Sequence, residues 1–559
     1  MKKRYLITVF ALAFVLILPQ FVLKGFIVGS DEVFHFNRFY DTSQQIKDGN
    51  FQYFISMYGF QQSGRIVNAL YGPLFAYFQG LLVLISKTWY HYQLISTFLI
   101  YILAGYSMYF FLVKAKINNW LAVGFSGFFM TTYPIQYWVN EQGFSAWGAA
   151  ILPLCLIPLL DLCENQTLKP LPVAVAVAAM FQIHLLSCVF LVLIYAPFFI
   201  CALIQSNNKL KLVNKLLIAI FFFFLLTMNI WISMIDIYAN NKLVAPFVNK
   251  TMQNNTITAK SVRWINTPVV FPYICIFFFS FALIRWRKLS DFLKIILFIS
   301  GVLTFLSTNL IPWTKLSNLN NPILSILQFP FRLFIPAAVL IIIGLALLIN
   351  DVSKKKVSKE RYLIIILFVS FLQIVWQSTG IMIRWNDATY QINPGVHSYL
   401  FSEDKKIDKK LYFSDDKSRI LTVFQKSTPD YLPIYGKDNQ DNYDSYGKQV
   451  VSQNEQFSKN IVDNNLVISW YGKNARLKSI PIVKYARTRL ILNGKELSDS
   501  DVKLTNIGVV FVKQKEGENK MLVTYTPLKF FTVILLTTIF LWSLIFIIWV
   551  IQNIVKWFN

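Results

Sequence analysis

Two adjacent carboxylates, an imidazole and a guanidinium crowd into one short stretch, Gly29-Ser-Asp-Glu-Val-Phe-His-Phe-Asn-Arg38. The reactive types are Asp31, Glu32, His35 and Arg38. A carboxylate can take the proton of an attacking hydroxyl. A guanidinium can hold a phosphate through two parallel charge-assisted bonds. His35 follows Asp31 by one helical turn, so it can orient that carboxylate or touch the same anion. The stretch follows the first long apolar run, Tyr5 to Val28, and therefore sits at one membrane surface. Charged groups there are cheap when solvated and costly when drawn inward. The plain alternative is a hydrophilic loop behind a signal anchor. Val28-Gly29-Ser30 is also tolerable as a signal cleavage site, although the run is long enough to span.

The elements that position these groups follow from composition. The chain has 559 residues, of which 55% are hydrophobic and 16% aromatic. Its mean hydropathy is +0.49. A water-soluble fold could not bury that much apolar surface. Thirteen apolar runs are readable: 5–28, 66–86, 91–113, 118–137, 144–162, 170–184, 186–205, 214–236, 268–284, 292–311, 331–350, 361–379 and 529–555. The formal charge of +25 is divided between short Lys/Arg loops and a Lys-rich hydrophilic stretch. No zinc spacing, glycine-rich phosphate loop or basic-aromatic repeat accompanies it, so nucleic acid is a poor partner. Cys155, Cys163, Cys188, Cys201 and Cys275 lie in apolar runs or at their edges and suggest no disulfide framework.

The run 66–86 decides the topology. If it does not cross, Lys2 to Arg4, the Lys209 to Lys215 group and the Lys354 to Arg361 cluster all face the cytoplasm, as the positive-inside rule asks. If it crosses, those clusters face outward. Gly72-Pro73 and the many Tyr and Phe residues also suit an interfacial or re-entrant helix. The reading is a polytopic α-helical membrane protein with about 12 spans, outer-face interfacial helices and both termini cytoplasmic. It is a multi-pass protein of the cell membrane, with the lipid bilayer as its first partner. The transmembrane domain covers 1–380 and carries a first outer loop over 29–87. Residues 381–528 form a C-terminal extracytoplasmic β-rich domain. A final helix and cytoplasmic tail occupy 529–559. Within the β-rich part, Arg419 to Phe424, Leu466 to Tyr471 and Val509 to Lys513 read as strands, and Asn493-Gly494 and Glu516-Gly517 as turns between them. A small β-sandwich is expected.

On this map Arg38, Arg65, Glu141, His184, Gln328 and Arg332 share the outer face with Asp31 and Glu32. Glu141 sits in the short loop 138–143. His184 tips a tight hairpin between two apolar runs. Arg332 closes the phrase Gln328-Phe-Pro-Phe-Arg332 at the start of another. Carboxylates and arginines at an outer membrane surface suit transfer of a sugar from a lipid-linked phosphate. One carboxylate takes the acceptor proton, arginines hold the departing phosphate, and a single displacement inverts the anomeric carbon. Asp31, Glu32 and Glu141 together would suit Mg²⁺ or Mn²⁺.

The arrangement resembles the GT-C superfamily of membrane glycosyltransferases. It is most similar to the bacterial membrane family labelled "6-pyruvoyl-tetrahydropterin synthase-related" and to YfhO-like proteins. The resemblance rests on Gly29 to Arg38, Tyr71-Gly-Pro-Leu-Phe-Ala-Tyr77, Glu141 and Gln328 to Arg332. It covers the pattern of residues 1–350. It implies a catalytic acidic residue at Asp31, with Glu32 as the neighbouring candidate, and a second acidic position at Glu141. It also implies membrane-surface helices after the first span, a polyprenyl-phosphate sugar donor and a cell-envelope glycan or teichoic-acid-type acceptor. Two other classes stay open on the residues alone. A transporter or flippase of lipid-linked sugars would place ionisable groups mid-span, and the runs here are largely uncharged at their centres. A non-catalytic envelope-assembly protein would merely present the β-rich domain.

Overall fold

The computed structural model describes residues 3–247, 249–258, 264–319, 322–352, 356–404, 406–436 and 441–558. Seven helices in it are long and apolar enough to cross a bilayer: Lys3–Leu23, Trp89–Lys114, Ser145–Asn165, Leu185–Gln205, Pro330–Asn350, Leu363–Asn386 and Phe531–Gln552. An eighth crossing arises if Lys209–Leu226 and Met228–Asn240 form one span, although the two are bent by 70°. By length and composition these helices mark a membrane protein.

Several of the apolar runs fold as shorter helices. Asn119–Thr131 has 13 residues, Pro170–Ile183 and Phe271–Ile284 have 14 each, and Asp291–Leu306 has 16. The run 66–86 breaks in two, into Val67–Leu70 and Pro73–Ile85. Gly72 takes the left-handed conformation at φ 53° and Pro73 opens the second helix. Proline suits that position because its missing N–H would be unpaired there in any case. The remaining 13 residues reach ~20 Å, short of the ~30 Å hydrocarbon thickness.

The chain divides into two compact units. The first comprises 1–32, 90–222 and 247–390. Its centre is Phe334–Val352, which packs against Asp291–Leu306, Asn119–Thr131 and Ser145–Cys155. Lys3–Leu23 packs on Asn119–Thr131 and on the long helix Lys356–Asn386.

The second unit comprises 33–89, 223–246 and 391–559. It holds a five-stranded antiparallel sheet in the spatial order Ser458–Val462, Asn465–Gly472, Gly517–Tyr525, Thr488–Leu492 and Lys495–Glu496. A three-stranded sheet runs Leu477–Val483, Val509–Lys513 and Lys503–Leu504. Leu466, Ile468 and Val523 of the first sheet share one buried cluster with Ile480, Val510 and Val512 of the second, as in a sandwich. The strands expected at 466–471 and 509–513 are present, and the turns at Asn493-Gly494 and Glu516-Gly517 separate strands as expected.

The strand expected at 419–424 is instead the helix Ser418–Val423, with a strand only at Phe424–Lys426. The Asp416 carboxylate accepts the Ser418 N–H at 3.0 Å and the Ser418 hydroxyl at 2.5 Å, closing an Asx-type turn directly before the helix. The β-rich part also buries the segment that follows the first apolar run: Tyr53, Phe54, Ile55 and Ile66 belong to the same hydrophobic cluster as the two sheets. Asp236, deeply buried, pairs with Arg487 at 2.8 Å and fixes the Met228–Asn240 helix to the sheet corner.

Candidate functional site

Six of the nine candidate residues fall in the first unit, and a short helix organises them. Tyr133–Glu141 places Tyr133, Tyr137 and Glu141 at i, i+4 and i+8, on one face. At its C-terminal end the Glu141 carbonyl accepts the Asp31 backbone N–H at 3.4 Å and the Ser30 hydroxyl at 3.4 Å. The approach is close because residue 29 has no side chain. A Cβ on Gly29 would lie 2.5 Å from the Glu141 carbonyl carbon. The helix ends there because Gln142 turns left-handed at φ 56°. Asp31 and Glu141, 110 positions apart in sequence, thus meet at the backbone.

The two adjacent acids differ. Asp31 is half-buried and precedes the helix Glu32–Asp48. Glu32 is buried, and its carboxylate accepts the Gly29 N–H at 3.2 Å, which closes the turn that carries Asp31. A carboxylate in the first turn also complements the positive end of its helix.

The opposite end of the same Tyr face meets the 328–332 phrase. Phe331 packs edge-on against Tyr133 at 6.2 Å and Tyr137 at 5.8 Å. The phenol of Tyr133 lies near enough to interact with both the Glu141 carboxylate and the Arg332 guanidinium. Arg332 Nη1 donates to Gln328 Oε1 at 2.6 Å and to the Leu327 carbonyl at 3.3 Å, and its guanidinium lies over the Phe329 ring at 4.8 Å. Gln328, itself at φ 59°, donates onward to the Phe247 carbonyl at 2.7 Å. Arg332 and His184 line one small cavity. His184 Nδ1 accepts the Ser187 N–H at 3.2 Å, which assigns the ring proton of the neutral form to Nε2.

His35, Arg38 and Arg65 belong to the second unit. Arg38 is fully buried. It donates to Asn68 Oδ1 at 3.1 Å and to the Tyr71 carbonyl, and stacks over the Tyr71 ring at 4.2 Å. His35 Nδ1 lies 3.3 Å from the same guanidinium. Arg65, equally buried, donates to Thr428 Oγ1 at 3.1 Å and to the Asp430 carbonyl at 2.5 Å. Both arginines therefore tie chain segments together through protein partners.

Sequence reading missed three features. Phe247, Phe329, Phe331 and Trp264 stack in series, at centroid separations of 6.0, 5.6 and 4.8 Å. The Phe-Pro-Phe spacing was the available signal, since alternate residues around a proline share one side. Asp41 is buried, accepts from the Tyr58 and Gly59 N–H groups and Gln45, and burial pushes it up to about 6. Lys459 donates to the Gln61, Gln62 and Pro481 carbonyls at 2.8, 3.3 and 3.0 Å. Together with Asp41 it braces Phe60, Gln61 and Gln62, three successive non-glycine residues at positive φ. Nothing in their local sequence announces that turn.

Among the described residues no group of three His, Cys, Asp or Glu side chains could hold a metal ion, so the expected Mg²⁺ or Mn²⁺ set is not assembled. No family model, curated protein or solved structure matches this chain.

Proposed function

We propose that the protein transfers a sugar from a polyprenyl-phosphate donor to a cell-envelope glycan or teichoic-acid-type acceptor at the outer membrane face. The observation that carries the reading is the backbone contact between Asp31 and Glu141 on a helix whose other end packs against the Arg332 phrase. Acid and guanidinium thereby share one short scaffold. Asp31 is the base: it is half-buried, whereas the Glu32 carboxylate holds the turn. The acceptor hydroxyl gives its proton to Asp31 as its oxygen bonds to the anomeric carbon. The bond from that carbon to the phosphate oxygen breaks, and the polyprenyl phosphate departs with the electron pair. Arg332 steadies its charge, while Glu141 orients the acceptor through a second hydroxyl. One displacement inverts the anomeric centre.

The reading includes a topology. Pro73–Ile85 lies along the outer face, and residues 381–528 are extracytoplasmic. The positive-inside distribution of the loop lysines and arginines supports it.

The test is release of polyprenyl phosphate from a panel of polyprenyl-phosphate hexoses by purified protein. Asp31→Asn keeps size and hydrogen bonding but cannot take the proton, and a roughly 10²–10⁴-fold loss is expected. Glu32→Gln, run beside it, is expected to lower stability more than turnover. Full activity in Asp31→Asn removes Asp31 as the base.

A further inference from the structure

The cavity shared by His184 and Arg332 lies where two helices begin and a third passes. Ser145 and Gly148 are in the first turn of Ser145–Cys155. Leu186 and Ser187 are in the first turn of Leu185–Gln205, which His184 caps. Ile335 and Pro336 follow Arg332 inside the continuous helix Pro330–Asn350, so they add wall but no free helix end. Each helix start carries a partial positive charge, and Arg332 adds a whole one. The Pro170–Ile183 helix ends beside His184 with the opposite sign, so two positive ends and a guanidinium oppose one negative end.

Ser145 supplies an independent sign of a ligand. The residue is 7% exposed, and its hydroxyl has no hydrogen-bond partner among the described residues. A buried hydroxyl left unpaired is costly unless something fills the site. The space inside measures about 10 Å³, enough for one oxygen-sized sphere. Met180 and Phe190 make the rest of the wall apolar. Gly148 allows the two helix starts to close on each other. A Cβ there would lie 2.3 Å from Ser187 Oγ, the group that bonds His184 Nδ1 at 2.8 Å.

We propose that this cavity is a socket for one anionic oxygen of a phosphate, with Ser145 as its hydroxyl donor and Arg332 as its countercharge. The ligand class is a phosphate ester; that it is carried on a prenyl chain rests on the functional reading above. The inference deepens the functional reading by locating the lipid phosphate. It is tested by binding, so it stands or falls separately from sugar transfer.

Full-length protein in nanodiscs is titrated with a C55 polyprenyl monophosphate, with the matching polyprenyl alcohol and with inorganic phosphate. The monophosphate is expected to bind at least tenfold more tightly than the alcohol. Ser145→Ala is expected to weaken the monophosphate about tenfold and leave the alcohol unchanged. Gly148→Ala, which pushes Ser187 away from His184, is expected to weaken it further. Inorganic phosphate is expected to compete only at far higher concentration. If it binds as tightly as the lipid, the prenyl part of the proposal fails. Wild-type monophosphate affinity in a folded Ser145→Ala protein overturns the socket, and if that variant misfolds, equal binding of monophosphate and alcohol to the wild type does so. Binding as expected with no sugar transfer by the wild-type protein would count against the glycosyl reading alone.

Discussion

Gly29→Ala tests the candidate site without touching a reactive group. Gly29 does not need glycine for its φ; it needs it for the approach to the end of the Tyr133–Glu141 helix. An added methyl would lie 2.5 Å from the Glu141 carbonyl carbon, 2.6 Å from its oxygen and 2.8 Å from Gln142 Cγ. Ordinary contacts of this kind lie at roughly 3.5–4 Å, so the 29–31 turn or the helix end must give by about 1 Å. Backbone cannot rotate aside as a flexible side chain can. Overpacking of this kind costs about 1–3 kcal/mol of stability. The displacement also strains the bond from the Gly29 N–H to the Glu32 carboxylate, which measures 3.2 Å. It separates Asp31 from Glu141, and a misplacement of about 1 Å lowers catalytic rate roughly 10²-fold. The expected result is a protein that inserts and binds donor, with turnover down about a hundredfold. Gly380→Ala is the control, because its Cβ would meet nothing within 4 Å inside the Lys356–Asn386 helix. Polyprenyl phosphate release under single-turnover conditions is the assay. Wild-type turnover in Gly29→Ala would refute the reasoning, since the contact that unites the two acids would then be irrelevant.

Three further outcomes are expected. Arg332→Lys keeps the charge but loses the two-point grip and the stacking on Phe329, so it retains weak donor binding and loses most turnover, whereas Arg332→Ala loses more than about tenfold in affinity as well; titration with a polyprenyl-phosphate sugar checks both. Asp41 is held at about 6 in the fold against the usual 3.8, so the folded state binds the extra proton between those values, and stability falls as pH rises from about 4 to about 6 and is flat above. That is a loss of ~3 kcal/mol, readable as a thermal midpoint across the window, and Asp41→Asn should abolish the slope. For topology, cysteines at Asn207 and Lys473, both exposed, should label in opposite senses in intact cells: Lys473→Cys from outside and Asn207→Cys only after permeabilisation; the reverse pattern inverts the map.

What could be read from the residues depended on whether the controlling interaction was local. Leu466 to Tyr471 and Val509 to Lys513 are strands because β-branched runs bounded by turn residues leave little choice. Gly72-Pro73 breaks the run 66–86 for equally local reasons. The run 419–424 has the composition of a strand but folds as a helix, directly after a turn that Asp416 closes on Ser418. Apolar length was a poorer guide. A composition that suits a span also suits a 13-residue buried helix such as Asn119–Thr131, whose packing against Lys3–Leu23 and Lys356–Asn386 is not written in its own sequence. At the site, residue type pointed to Asp31 and Arg332, while the face Tyr133-Tyr137-Glu141 that relates them required knowing that the chain breaks at Thr132. Arg38 and Arg65 were indistinguishable from Arg332 by type. Their burial against Asn68, Tyr71, Thr428 and Asp430 comes from contacts up to 365 positions away.

The three arginines show why type alone cannot assign a phosphate grip. A buried guanidinium needs acceptors for its donors, and the protein can supply them or leave them for a ligand. Arg38 and Arg65 have side-chain and backbone acceptors from distant segments, with only Arg65 Nε lacking one among the described residues, and removing either would orphan buried carbonyls and hydroxyls. Arg332 makes its contacts within its own phrase, to Leu327, Gln328 and the Phe329 ring, and it lines a cavity beside a buried serine hydroxyl that has no partner among the described residues. Local contacts fix the direction of a guanidinium without consuming its outward donors. The distinction predicts opposite phenotypes: alanine at Arg38 or Arg65 should destabilise the second unit, and alanine at Arg332 should spare folding and lose the anion.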